Sequence, residues 1–182
     1  MEYIVVKKFK FNTTAVALVG IMAATIECGK LALSFLPNIE VVTLLCALYG
    51  YVFGWLGVAA ALVFVCIEPL IYGIGGWVIT YALYWPAVAI IFALLGRKKI
   101  KKRVALAAVA VGLTVLFGAL SSFVDAAFYL GINKYFFKNF CLYYVRGIGF
   151  YIVQILCNAT VFMTLFSLLS DKLLRIKSTL KV

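Results

Sequence analysis

Six charged side chains lie within or at the edge of long apolar runs, where they could bind a ligand or pair with one another. They are Glu27, Lys30, Glu40, Glu68, Asp125 and Arg146. A charge inside the hydrocarbon of a bilayer is costly, so such a residue usually belongs to a functional site or to a structural ion pair. Both interpretations are open. Glu27 and Lys30, at a spacing of i, i+3, would neutralise each other within one helix. Asp125 and Arg146 would form a similar pair between two helices.

Polar and aromatic side chains repeat near these charges at the spacing of a helix face. The three rows are Arg146, Gln154 and Asn158; Ser122, Asp125 and Tyr129; and Trp77, Tyr81, Tyr84 and Trp85. Aromatic rings supply contact area and the polar groups supply orientation, so the rows predict a site for an amphipathic ligand that contains a ring. Trp77 and Tyr81 would equally suit an aromatic belt at the membrane interface. Gln154 and Asn158 would equally suit hydrogen bonds between helices.

The elements that must position these residues are predicted to be membrane-spanning helices. Of 182 residues, 66% are hydrophobic and 13% are charged, against about 45–50% and about 25% in soluble domains. A span needs roughly 20 apolar residues, which leaves no room for a sizeable domain outside the membrane. We predict an all-α integral membrane protein with six transmembrane helices in one domain, 1–182. The expected spans are at about 12–35, 39–56, 57–73, 76–96, 104–130 and 145–170.

Basic residues predict the orientation of these spans. They cluster at three places: Lys7, Lys8 and Lys10; the run 97–103; and Lys172, Arg175, Lys177 and Lys181. An even number of spans puts all three on one side, and the positive-inside rule makes that side the cytoplasm. We therefore expect a multi-pass protein of a bacterial cytoplasmic membrane with both termini inside. The run 97–103 would also suit a docking partner or lipid headgroups.

This topology places the six embedded or boundary charges in the outer half of the spans. A channel should carry polar residues along its whole length. The clustering therefore favours a polar cavity that opens to the outside over a pore through the membrane.

Several functional classes are disfavoured by what the sequence lacks. It contains no His, no phosphate-binding loop and no H-E-x-x-H or G-x-S-x-G motif. We therefore predict no enzyme, no ATPase activity of its own, no metal site and no covalently bound cofactor. The net charge of +11 is explained by topology, so no nucleic-acid partner is expected.

Five segments resemble the substrate-binding S components of energy-coupling factor (ECF) vitamin transporters, and together with the predicted spans they cover nearly the whole chain. They are Gly20-x-x-x-Ala24; Leu36-Pro37-Asn38-Ile39-Glu40; Glu68-Pro69-Leu70-Ile71-Tyr72-Gly73; the stretch from Trp77 to Pro86; and Gln154-Ile155-Leu156-Cys157-Asn158. The family pattern in the first segment is Ala-x-x-x-Ala, and Gly20 serves the same close packing.

The resemblance implies a function and partners. An S component binds a vitamin or its precursor from outside with high affinity, then associates with a membrane coupling protein and two cytoplasmic ATPases. ATP is used only by those partners. The face of Gly20 and Ala24 would dock on the coupling protein, and the S component would topple in the membrane with its ligand. Without the resemblance, the same small residues would suit ordinary packing within the chain.

The expected ligand site lies under the loops 37–40, 72–77 and 131–138. The residues predicted to bind the substrate are Asn38, Glu40, Glu68, Tyr72, Trp77, Tyr81, Trp85, Asp125, Tyr129, Arg146, Gln154 and Asn158. The segment 68–85 is similar to S components assigned to cobalamin. The aromatic content equally suits riboflavin, folate or a pyrimidine precursor. The alternative function is that of a small structural or regulatory membrane protein without a transported ligand.

Overall fold

The computed structural model describes residues 12–180, so the predictions for Lys7, Lys8, Lys10 and Lys181 lie outside the described residues. Every regular element in the described range is helical. The helices are α1 (Thr13–Ala32), α2 (Val42–Phe53), α3 (Trp55–Tyr72), α4 (Trp77–Arg97), α5 (Arg103–Leu130), α6 (Phe136–Val161) and α7 (Ser167–Leu180). A π-helical turn, Phe162–Phe166, joins α6 to α7 without a break.

Five helical segments are long and apolar enough to cross a membrane, as expected of a multi-pass membrane bundle. They are α1, α3, α4, α5 and the continuous segment Phe136–Leu180. Helix α2 is apolar but has only 12 residues, fewer than the roughly 20 of a complete span. It occupies the position of the predicted span 39–56. The all-helical membrane fold is therefore confirmed, whereas the count of six spans stays a prediction.

The last predicted span is wrong at its start. The sequence predicts this span at about 145–170, but α6 begins at Phe136. Lys138 made this segment resemble a connection, although most of its other residues are aromatic or apolar. The ring of Phe136 packs on Phe123 of α5, with centroids 5.1 Å apart. The connection between α5 and α6 therefore ends at Tyr135, and Arg146 lies well inside the helix instead of opening it.

The centre of the bundle is formed where α2, α3 and α4 pack together. Helix α2 turns into α3 at Gly54 alone, whose φ of 62° is one that residues with a side chain rarely adopt. Gly50 lets α2 approach α4 closely, because a Cβ there would lie 2.2 Å from the carbonyl oxygen of Ala89. Phe92 of α4 packs on Phe162 and Phe166 of the π-helical turn at 5.5 Å in each case.

The two ends of the bundle differ in what they carry. Short connections make consecutive helices antiparallel. The connections 33–41, 73–76 and 131–135 therefore share one end, here called the cavity end. The turn at Gly54 and the connection 98–102 share the other, here called the basic end. Helix α7 reaches the basic end, where Lys177 Nζ donates a hydrogen bond to the carbonyl oxygen of Val52 at 2.7 Å.

Candidate functional site

A cavity of about 290 Å³ lies at the cavity end, beneath the connection between α1 and α2. Helices α1, α3, α4, α5 and α6 also contribute to its walls. Among the residues that line it are five of the twelve predicted substrate-binding residues: Asn38, Glu40, Tyr81, Trp85 and Gln154. The structure therefore brings residues from three of the resembling segments into one chamber.

Four aromatic side chains form part of the apolar wall of the cavity, namely Phe64, Tyr81, Trp85 and Phe117. On α4, Tyr81 and Trp85 pack edge to face with centroids 5.5 Å apart. Trp85 also contacts Phe117 of α5 at 5.9 Å and Phe64 of α3 at 6.5 Å. Trp77 packs on Tyr81 at 5.1 Å but does not line the cavity. Two members of the predicted aromatic row on α4, Tyr81 and Trp85, therefore line the chamber, whereas Trp77 and Tyr84 do not.

An ion pair between a half-buried lysine and a buried carboxylate closes one side of this chamber. Lys30 of α1 binds Glu68 of α3, and the Lys30 ammonium lies 4.0 Å from the centroid of the Tyr72 ring. The possible pair of Glu27 with Lys30 is not formed. Glu68 is completely buried, and a buried carboxylate without a counter-ion is strongly destabilising, so the cation pairs across the helices instead. Glu27 accepts a hydrogen bond of 3.4 Å from the Tyr72 hydroxyl.

Glu40 joins the cavity wall to the interior of the bundle. Its carboxylate accepts hydrogen bonds from the backbone N–H of Thr43 at 2.8 Å and from the Thr43 hydroxyl at 2.6 Å. These contacts cap the first turn of α2, where a negative charge is favourable. The side-chain amide of Asn158 donates to Glu40 and to the hydroxyl of Thr114, each at 3.0 Å. Asn158 therefore positions Glu40 from behind the cavity.

Two buried polar atoms in the cavity wall have no hydrogen-bond partner among the described residues. They are Trp85 Nε1 and Gln154 Oε1. Their residues are only 3% and 4% exposed, and both line the cavity. Buried polar groups are almost always hydrogen-bonded, because leaving one unpaired costs free energy. Within the described residues, Trp85 therefore carries an unpaired donor and Gln154 an unpaired acceptor next to the chamber.

Three predicted site residues lie away from this cavity. Tyr129 lies beside Gly75 of the α3–α4 connection. Asp125 is half-buried on α5, and Arg146 is exposed on α6. No ion pair joins them in the described part of the chain, so the pairing considered for them is wrong. The first half of α6 packs mainly against α5, which turns Arg146 and Phe150 outward while Gln154 and Asn158 stay buried.

Sequence reasoning missed several residues that shape the site. The sequence marks Lys30 as an embedded charge with Glu27 as one possible partner, but it does not place Lys30 in the cavity wall. Phe64 and Phe117 carried no signal, because they are two of 15 phenylalanines in apolar runs. The role of Thr114 is evident only from its hydrogen bond with Asn158, a contact between distant residues that no spacing rule predicts.

Metal ligands, cysteines and similar proteins are further possible indications of function. Between residues 12 and 180, no three His, Cys, Asp or Glu side chains come together as metal ligands. The five cysteines are free thiols. No family model matches the sequence, and neither a curated protein nor a solved structure matches it.

Proposed function

We propose that the chain is the membrane-embedded substrate-binding subunit of an ATP-driven importer of the ECF type. Its substrate would be a vitamin or a vitamin precursor captured from outside the cell. The observation that carries the proposal is the pair of unpartnered polar atoms in an aromatic cavity, Trp85 Nε1 and Gln154 Oε1. A ligand with an acceptor and a donor in matching positions would satisfy both atoms.

The size of the cavity limits the substrate. Its volume of about 290 Å³ is at the low end of the ~300–1,000 Å³ typical of pockets for drug-sized ligands. Cobalamin, with a corrin ring and a nucleotide loop, exceeds that size. The cavity therefore favours a compact ring system such as a pyrimidine precursor, with riboflavin or folate requiring some widening. The rings of Tyr81, Trp85 and Phe117 would provide aromatic contact surface for the ligand.

A coupling protein and two ATPases would complete the importer, and the outer face of α1 would dock on the coupling protein. Gly20 and Ala24 are exposed on this face. Among the described residues, no atom lies within 4 Å of a Cβ built at Gly20. Small residues allow a second helix to approach closely, so this face suits a partner helix.

The alternative is a structural or regulatory membrane protein without a transported ligand. The observation in its favour is that several embedded polar groups already have a partner within the chain. Lys30 binds Glu68, and Asn158 binds Glu40 and Thr114. Under this alternative, the cavity would hold only water.

Ligand titration separates these two functions. The full chain is purified in detergent, and a panel of vitamins and precursors is titrated by calorimetry with Trp fluorescence as a second readout. We expect one compact ring ligand to bind without ATP and to quench the fluorescence of Trp85. A folded protein that binds no member of the panel would support the alternative.

The docking face is tested independently of ligand binding. In Gly20→Leu, the new side chain would hold a partner helix away from α1. We expect normal ligand affinity in the purified chain and loss of vitamin uptake in an auxotroph that carries the coupling protein. The matched control is Gly112→Leu, an exposed glycine on α5 where a built Cβ likewise meets no other helix of the described range within 4 Å. Uptake that survives Gly20→Leu would contradict the assignment of this face.

A further inference from the structure

We propose that the basic end of the bundle carries a binding cleft for the phosphate headgroup of an anionic membrane lipid. Two adjoining cavities of about 480 and 250 Å³ share Tyr51, Lys101 and Leu174 as a common wall. Together they form what is here called the basic cleft. The inference does not depend on the transport function proposed above, because it concerns the opposite end of the molecule.

Cations dominate the lining of the basic cleft. Five basic side chains border it, namely Arg97, Lys99, Lys101, Arg103 and Lys177, whereas Asp171 is the one carboxylate. The only ion pair formed within residues 12–180 is that of Lys30 with Glu68. The charges of the cleft are therefore not neutralised by the described part of the chain, and an anion would be attracted there.

The fold holds several of these cations in place. Lys177 is half-buried, and one of its three donors is used on the carbonyl oxygen of Val52 at 2.7 Å. Arg103 Nε donates to the hydroxyl of Ser167 at 3.2 Å, which leaves the terminal nitrogens of its guanidinium group to bind an anion. The hydroxyl of Tyr51 donates to the carbonyl oxygen of Ile100 at 3.0 Å and fastens the connection 98–102 to α2. The positive-inside rule would explain why basic residues lie at this end of the bundle. It would not explain why they surround a cleft and are held there by hydrogen bonds.

The floor of the larger cavity is apolar, which argues for a lipid over free phosphate. Val52, Phe53, Ala93 and Leu174 line it beside the cations. A glycerolipid would place its phosphate against the basic side chains and its glycerol and first acyl carbons on this floor. The cleft also lies where α2 and α4 end, and headgroups bind near the ends of membrane helices. Basic pockets between helix ends are a known form of headgroup site.

The charge of the cleft also specifies the class of lipid. A zwitterionic headgroup carries an ammonium group that five cations would repel. A phosphodiester with a net negative charge and no ammonium group, as in phosphatidylglycerol, matches the cleft. Removal of cations should therefore weaken the binding of this lipid by roughly fivefold for each residue.

The test uses the full chain in detergent and native mass spectrometry of retained lipids. Phosphatidylglycerol and phosphatidylcholine are titrated against the wild type and against the variant Lys99→Gln/Lys101→Gln. Both positions are exposed, so helicity and thermal unfolding should be unchanged. The matched control is Lys134→Gln/Lys138→Gln, which removes two exposed cations at the cavity end. Inorganic phosphate is added as a competitor in a separate arm.

We expect the wild type to retain phosphatidylglycerol over phosphatidylcholine by at least tenfold. The cleft variant should bind it roughly 25-fold more weakly than the control variant does. Equal binding of the two lipids by the wild type would overturn the proposal, even if the variant failed to fold. An equal loss in both variants would do the same. Displacement of the lipid by millimolar phosphate would identify a phosphate site and not a lipid site.

Discussion

The two ends of the bundle handle charge in opposite ways. At the cavity end, the two charges that line the cavity are bound to the protein: Lys30 to Glu68, and Glu40 to Thr43 and Asn158. At the basic end, five cations share a cleft with a single carboxylate. The difference follows from solvation. An ion inside the bundle needs a partner because it has lost its water, whereas an ion at the membrane boundary keeps its water and stays free to bind an anion.

The largest effect that distinguishes the ends is expected from Lys30→Met. The substitution keeps the length of the side chain but leaves Glu68 buried without a counter-ion. We expect the free energy of unfolding to fall by about 3–5 kcal/mol. Denaturant titration in detergent, followed by Trp fluorescence, measures this loss.

The double variant Lys30→Met/Glu68→Met serves as the control for Lys30→Met. Replacing both ions by apolar groups of similar volume should restore most of the lost stability. If Lys30→Met were as stable as the wild type, the pair would not be desolvated. The proposed difference in ion solvation between the two ends would then be wrong.

The smallest effect is expected from Lys101→Met at the basic end. Lys101 is exposed and has no ion-pair partner within residues 12–180. We therefore expect the free energy of unfolding of the Lys101→Met variant to stay within about 0.5 kcal/mol of the wild type, measured by the same titration. A loss as large as that of Lys30→Met would mean that the cations of the basic cleft are structural.

Much of the fold could be predicted from the sequence because apolar runs and their breaks are local signals. Pro37 lies in the break between the first two predicted spans, and the structure turns there. Gly54 lies inside the predicted span 39–56, so α2 ends earlier than predicted. The start of α6 was missed because Lys138 outweighed the aromatic residues around it. Only packing on Phe123 reveals that Phe136 belongs to the helix.

The site was less predictable, because its contacts join residues that are distant in sequence. The row Tyr81–Trp85 followed from helical spacing and reaches the cavity. In contrast, the partner of Lys30 is 38 residues away, and a local spacing rule can offer only Glu27. The prediction that Arg146 shares a site with Gln154 and Asn158 was wrong. Helical periodicity predicts which residues share a face, but not how far along the helix other helices cover that face.

The measurement that tests the account most directly compares Trp85→Phe with Tyr84→Phe in ligand titration. Both substitutions keep an aromatic ring and remove a buried polar atom that has no partner in the described residues. Only Trp85 lines the cavity. For the ligand that the wild type binds, we predict at least a fivefold loss of affinity in Trp85→Phe and none in Tyr84→Phe. Equal affinities in the two variants would contradict the claim that the cavity is the binding site.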